Sequence, residues 1–238
     1  MLKAQRFLNS PRASILDRMG VHEKRSSYEL YLNSITAKPE LLSVFEKVDA
    51  RFITSYTFSA KSLIYLYELL TSGDFFTVLE CGSGASSVAI EKSLSMCGRR
   101  PGDRLALSLE SDCRWIETSR AMLNEVLTAR HVRLLYAPIE QVNTPWGQFR
   151  TYRSEDISCG LEGRKIDFLL IDGPGPDVGR IGVVPLLKPH LATNALICLD
   201  DSGRDTEKQC IQNWVGRKLV RFQGYLPIGK GLALMRNF

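Results

Sequence analysis

Two textures of apolar and polar positions divide the chain near Ser72. Before it, LLSVFEKV (Leu41 to Val48) and SAKSLIYLYELL (Ser59 to Leu70) repeat apolar residues three and four positions apart. That is the period of an amphipathic helix, and Ser59 has the side chain of an N-cap. From Phe75 onward, short apolar runs alternate with helical stretches, the pattern of βα units whose parallel strands are buried on both faces. Strands are expected at Phe75 to Glu80, Leu105 to Glu110, Val132 to Ala137, Ile166 to Asp172 and Asn194 to Asp200. Helices are expected near Ser87 to Met96, Cys113 to Ala129, Val178 to Leu187 and Thr206 to Gly216. LVRFQGYL and GLALMRN, separated by PIGK, read as a closing β-hairpin. The segment Pro145 to Arg164 has no period and is long for a connection, so an insertion near the site or a lid is expected there.

The chemistry concentrates where the strands end. Gly82 and Gly84 follow the first strand directly, and glycine there permits a tight turn and close approach of a ligand to the main chain. Glu80 lies two positions earlier, and Glu110 ends the second strand, where a carboxylate can accept hydrogen bonds from both hydroxyls of a ribose. An adenosine-containing cofactor fits this spacing. The run Gly82, Ser83, Gly84, Ala85, Ser86, Ser87 departs from the dinucleotide fingerprint, which leaves a nicotinamide enzyme as the weaker alternative. Asp172, Asp200 and Asp201 end what should be adjacent strands, the place where open α/β sheets bind ligands.

ECGSG after a strand, LSLESD at the next strand end, FLLIDGPG, and ICLDD before a helix resemble successive motifs of class I S-adenosylmethionine-dependent methyltransferases. The resemblance runs from about Thr57 to Phe238 and is nearest to bacterial methyltransferase-like proteins with an Asp-Gly-Pro motif. It implies a Rossmann-like α/β fold: a mostly parallel seven-stranded sheet, helices on both faces and a C-terminal antiparallel hairpin. Residues 1–70 would form a helical extension packed on a cofactor-binding domain of residues 71–238. Gly82, Ser83, Gly84 and Ser86 would face the methionine moiety, with Glu80 orienting that turn or the ammonium group. Glu110 would hold the ribose, Ser111 and Asp112 would lie beside the adenine, and the loop starting at Ala137 would form its other wall. Asp172 would lie nearest the transferred methyl, with Asp200 as a second catalytic carboxylate.

Catechol-type O-methyltransferases, a more distant resemblance, carry an aspartate after strand four and an Asp-Asn pair after strand five. Asp172, Asp200 and Asp201 are therefore candidate ligands for Mg²⁺, although Asp201 replaces the asparagine and Gly175 replaces a basic lysine. The activity implied is O-methylation of a small polar molecule; a non-catalytic binding protein of the same fold is the alternative from another class. Arg180 and Arg204 are candidate partners for an anionic substrate, with surface placement as the other reading. The three histidines, His22, His131 and His190, are expected in surface or turn roles.

Composition changes this picture little. The 238 residues carry a net charge of +5, with basic residues gathered before Arg25 and around Arg99, Arg100 and Arg104 but otherwise alternating with acids, which gives no clear nucleic-acid signal. Six cysteines without a CxxC pair read as reduced core residues and suggest a cytoplasmic protein. No apolar run reaches the length of a membrane span.

Overall fold

The computed structural model describes residues 27–54, 56–97, 103–126 and 131–238. The basic stretch before Arg25, His22, Arg99, Arg100 and the end of the helix expected to reach Ala129 lie outside the described residues. Helices come first: α1 over residues 27–35, α2 over Pro39–Phe45 and α3 over Ala60–Ser72. Ser59 caps α3 as its sequence suggests, its side chain accepting from the Ser62 N–H at 3.1 Å. The α/β part then runs β1 Thr77–Cys81, α4 Ala85–Met96, β2 Leu105–Glu110, α5 Cys113–Val126, β3 Val132–Tyr136, β4 Ile139–Thr144, β5 Gly147–Tyr152 and α6 Ser154–Gly160. It closes with β6 Ile166–Ile171, α7 Val183–Leu187, β7 Leu191–Leu199, α8 Asp205–Gly216, β8 Val220–Leu226 and β9 Leu232–Asn237.

Seven strands form one sheet in the order β3-β2-β1-β6-β7-β9-β8. The first four pairings are parallel and the last two antiparallel, so the β8–β9 hairpin closes the edge as expected. Strand alternation sends neighbours to opposite faces. In β1, Val78 joins a core with Leu63, Leu66 and Leu70 of α3 and Val88 of α4, while Leu79 and Cys81 join a second core with Ile157 of α6, Val183 of α7 and Trp214 of α8. The helices before residue 73 thus share a core with the sheet. The order reverses at β1 and β6, which places a crevice at their carboxyl ends.

Three expectations are revised in part, although Pro145–Arg164 does lie near the site, with Arg150 and Tyr152 at the crevice. Most of Pro145–Arg164 is regular structure: β5 pairs antiparallel with β4, and α6 follows. Residues 139–150 alternate poorly because the hairpin exposes most side chains on both faces, so no period-2 apolar pattern arises. The helix expected from Val178 begins at Val183, because Gly179 adopts a left-handed φ of 79° and Arg180 turns inward. The cysteines are all free, but Cys113 and Cys159 are exposed rather than core residues. Among the described residues no helix is long and apolar enough to cross a membrane.

Candidate functional site

The turn after β1 is held from beneath by Glu80. Its carboxylate is fully buried and accepts hydrogen bonds from the hydroxyls of Ser87 (2.5 Å) and Ser108 (2.6 Å). Ser87 Oγ in turn accepts from the Gly84 N–H at 3.0 Å, so one carboxylate fixes both the turn and the first turn of α4. Glu80 orients the turn and does not reach the crevice. Burial pushes its pKa up to about 7 despite these hydroxyls.

A carboxyl raised from 4.5 takes up a proton on folding, so its contribution is fully present below about pH 4.5 and is lost as pH rises through about 7. Glu80→Gln should therefore gain stability relative to wild type at pH 8, by on the order of 3 kcal/mol at most, and little at pH 5. Denaturant unfolding at the two pH values checks this; parallel curves would contradict it.

Gly82 has a φ of 90°, and a Cβ there would stand 3.0 Å from the Gly173 nitrogen, where the ends of β1 and β6 meet. At Gly84 the constraint differs. A Cβ would meet no described protein atom within 4 Å and would point into open space. The turn is thus tight against the protein at its first glycine and open toward the crevice at its second.

Glu110 forms the other side of this cradle. Its Oε2 accepts from the N–H (3.2 Å) and hydroxyl (2.9 Å) of Ser83, and its Oε1 accepts from the N–H groups of Ser111 (2.7 Å) and Asp112 (2.9 Å). Four donors fill the acceptor capacity of a carboxylate. A ribose hydroxyl would replace the Ser83 hydroxyl, which has Ser119 Oγ at 2.8 Å as a second partner. Trp115, from the first turn of α5, donates Nε1–H to the Ser83 carbonyl at 2.7 Å and completes the wall. Sequence reasoning missed this tryptophan; an aromatic just after the LESD strand end was the available signal.

These groups open onto one cavity of about 1230 Å³. Of the residues expected at the cofactor, Gly82, Ser83, Gly84, Ser86, Glu110, Ser111, Asp112 and Asp172 line it. Ala137 is fully buried, its N–H donating to the Glu110 carbonyl, and its neighbours Tyr136 and Pro138 line the cavity in its place. No described histidine lines it; His131 is buried against Glu91.

At the far end of β6 and β7, Asp172, Asp200 and Asp201 offer oxygens within 4.8 Å of one another. Their centre belongs to Arg180. Its Nη1 donates to the Asp200 carbonyl (2.8 Å), and its Nη2 donates to the Asp172 carbonyl, Asp172 Oδ1 (3.2 Å) and Asp201 Oδ2 (3.0 Å). Glu207 stands 3.8 Å from Nη1. Arg180 is therefore neither a surface residue nor a free substrate clamp: it is a buried internal cation.

This arrangement does not fit the metal that the aspartates suggest. Asp200 Oδ1 and Asp201 Oδ1 lack hydrogen-bond partners, but Arg180 already neutralises part of this acidic cluster, and its repulsion, roughly 8 kcal/mol at about 4 Å and an effective dielectric of about 20, would offset much of the carboxylates' pull on a divalent ion. Asp172 is the partly exposed member, at 18%, and faces the cavity. Burial raises its pKa to about 6 against the pull of Arg180. Asp200 is buried off the cavity wall, and burial with the charges of Asp172 and Asp201 raises it to about 7.

No protein-family model matches the sequence, and no curated protein matches it. Solved structures do. An O-methyltransferase from Bacillus cereus in complex with SAH aligns with a TM-score of 0.60 at 14% identity, over 90% of this chain and 100% of that one. The O-methyltransferase TomG from Streptomyces achromogenes, in complex with SAM, gives 0.57 at 16%, over 90% and 98%. An SAH-bound methyltransferase from Podospora anserina gives 0.55 at 15%, over 96% and 97%. The chain has the class I methyltransferase fold.

Proposed function

We propose that the chain binds S-adenosylmethionine at the Gly82 to Asp112 cradle and methylates a hydroxyl oxygen of a small polar molecule. The observation that carries this reading is the shared cavity: an open glycine, the Glu110 carboxylate and the Asp172 carboxylate all face it. Fold likeness to O-methyltransferases solved with SAM or SAH supports the same choice.

The residues fit the cofactor by position. Gly84 leaves the main chain open to the methionine portion, Glu110 faces the ribose, and Trp115, Tyr136 and Pro138 supply apolar surface for the adenine. Bound S-adenosylmethionine supplies an electrophilic methyl group on a sulfonium. The protein's part is alignment and proton removal. Asp172 receives the hydroxyl proton as the oxygen attacks, and a carboxyl titrating near 6 is ionised at neutral pH yet more basic than an ordinary aspartate. Arg180 holds that carboxylate in place, and the Asp200 carboxylate, off the cavity wall, acts on Asp172 by its charge alone.

Purified protein incubated with methyl-labelled S-adenosylmethionine and a pool of small hydroxyl compounds should transfer label to oxygen and release S-adenosylhomocysteine above the acceptor-free blank. Cofactor binding without turnover on any hydroxyl, amine or thiol pool would favour a non-catalytic binding protein.

A further inference from the structure

A cavity of about 1230 Å³ exceeds the roughly 300–1,000 Å³ of an ordinary ligand pocket, so it has room beyond the cofactor cradle. Its lining carries cations among its carboxylates. Arg150 comes from β5, Arg204 from the residue before α8, and Lys230 from the turn between β8 and β9. Three stretches distant in sequence thus bring cations to one cavity.

Their placement is built into the fold. Ser202 N–H donates to the Gly231 carbonyl (3.0 Å) and Gly203 N–H to the Lys230 carbonyl (3.2 Å), tying the loop that carries Arg204 to the turn that carries Lys230. Asp201 lies between them with a left-handed φ of 56°. Its carboxylate is shared by Arg180 (3.0 Å), Arg204 (3.0 Å) and Lys230 (3.9 Å), while Asp172 and Glu207 also face Arg180. Arg180 is spent in the interior. The side chains of Arg204 and Lys230 are 44% and 36% exposed, at the cavity surface. Arg150 donates to the backbone carbonyl of Asp177 at 3.4 Å, a neutral partner that leaves its charge uncompensated at that contact. The Asp177 carboxylate is an opposing charge in this lining, and it is exposed.

We propose that Arg204, Lys230 and Arg150 form an oxyanion subsite that takes a carboxylate or phosphate group on the methyl acceptor and presents its hydroxyl to Asp172. A guanidinium binds either group through a planar fork, and an ammonium adds a point charge. Asp172, the proposed base, lines the same cavity, and Arg204 and Lys230 both act on it by charge. The assignment of the anion to an acceptor rests on the methyltransferase reading; the subsite itself does not.

The test titrates inorganic phosphate and malonate separately into the full chain, with and without saturating S-adenosylhomocysteine, reading thermal stability against chloride at matched ionic strength. At least one oxyanion should give a saturable rise in Tm beyond the chloride control, and the tighter of the two identifies the preferred group. Arg204→Gln and Arg150→Gln should each raise the half-saturating concentration, and together by about tenfold or more. Both sites are partly or fully exposed, so the variants should melt near wild type without ligand.

Indifference to both oxyanions, or saturation unchanged in the double variant, would overturn the proposal. So would competition between the oxyanion and S-adenosylhomocysteine, since the cations would then serve the cofactor's own carboxylate. Oxyanion binding in a protein that ignores S-adenosylhomocysteine would instead remove the methyltransferase reading and leave the subsite standing.

Discussion

Asp172→Asn is expected to lower kcat by about 10²- to 10⁴-fold, the range associated with loss of a positioned general base, while S-adenosylhomocysteine binds as in wild type. The asparagine preserves shape and can still accept a hydrogen bond from Arg180, but it cannot take a proton. The pH dependence carries the diagnosis. Wild-type kcat should climb as pH rises through about 6, where Asp172 ionises, and the residual activity of the variant should lack that limb. Equal losses of affinity and turnover, or an unchanged limb, would show that Asp172 only shapes the pocket. Burial and the charge of Asp172 raise Asp200 as well, so a limb kept in Asp172→Asn and abolished in Asp200→Asn would assign the proton to Asp200.

The second large effect is on stability. Arg180 is 6% exposed and faces Asp172, Asp201 and Glu207, so Arg180→Met leaves buried carboxylates without their cation. Removing one partner of a buried ion pair costs about 3–5 kcal/mol, which in a chain of this size lowers Tm by roughly 10 °C. Arg180→Lys keeps the charge without the fork and should fall between the two. In any variant that folds, losing Arg180 raises the pKa of Asp172 further, because Arg180 is the strongest of the cations pulling it down. The rising limb of activity should move to higher pH. Wild-type Tm and activity should be indifferent to Mg²⁺ and to chelator, since Arg180 already supplies the cation that faces Asp172 and Asp201. A stoichiometric Mg²⁺ response abolished in Asp201→Ala would contradict that assignment.

How much of this could be read from the sequence depends on how local each signal is. The five parallel strands and the closing hairpin were legible because buried strands leave unbroken apolar runs and PIGK is a compact turn between two of them. Gly82, Gly84 and Glu110 were legible because strand ends in such sheets gather ligands. The β4–β5 hairpin was not, since its exposed faces erase the apolar alternation, and the turn at Pro145 to Gly147 was the only punctuation. Arg180 was misread because its role depends on carboxylates contributed by β6, by the loop after β7 and by α8, and nothing local distinguishes a buried arginine from a surface one. The same limit hid the contrast between Asp200 and Asp201. The two are adjacent in sequence, but the left-handed φ at Asp201 turns its carboxylate toward the cavity wall while Asp200 stays behind it.

The reading as a whole stands on the cradle between β1 and β2. Isothermal titration of S-adenosylhomocysteine into wild type and Gly84→Val tests it most directly, because a Cβ at Gly84 meets no described protein atom within 4 Å and the residue lines the cavity. The account predicts one saturable site per wild-type chain and a variant that folds but binds about tenfold more weakly or worse. No binding to wild type at millimolar ligand, or equal binding to both proteins, would contradict it.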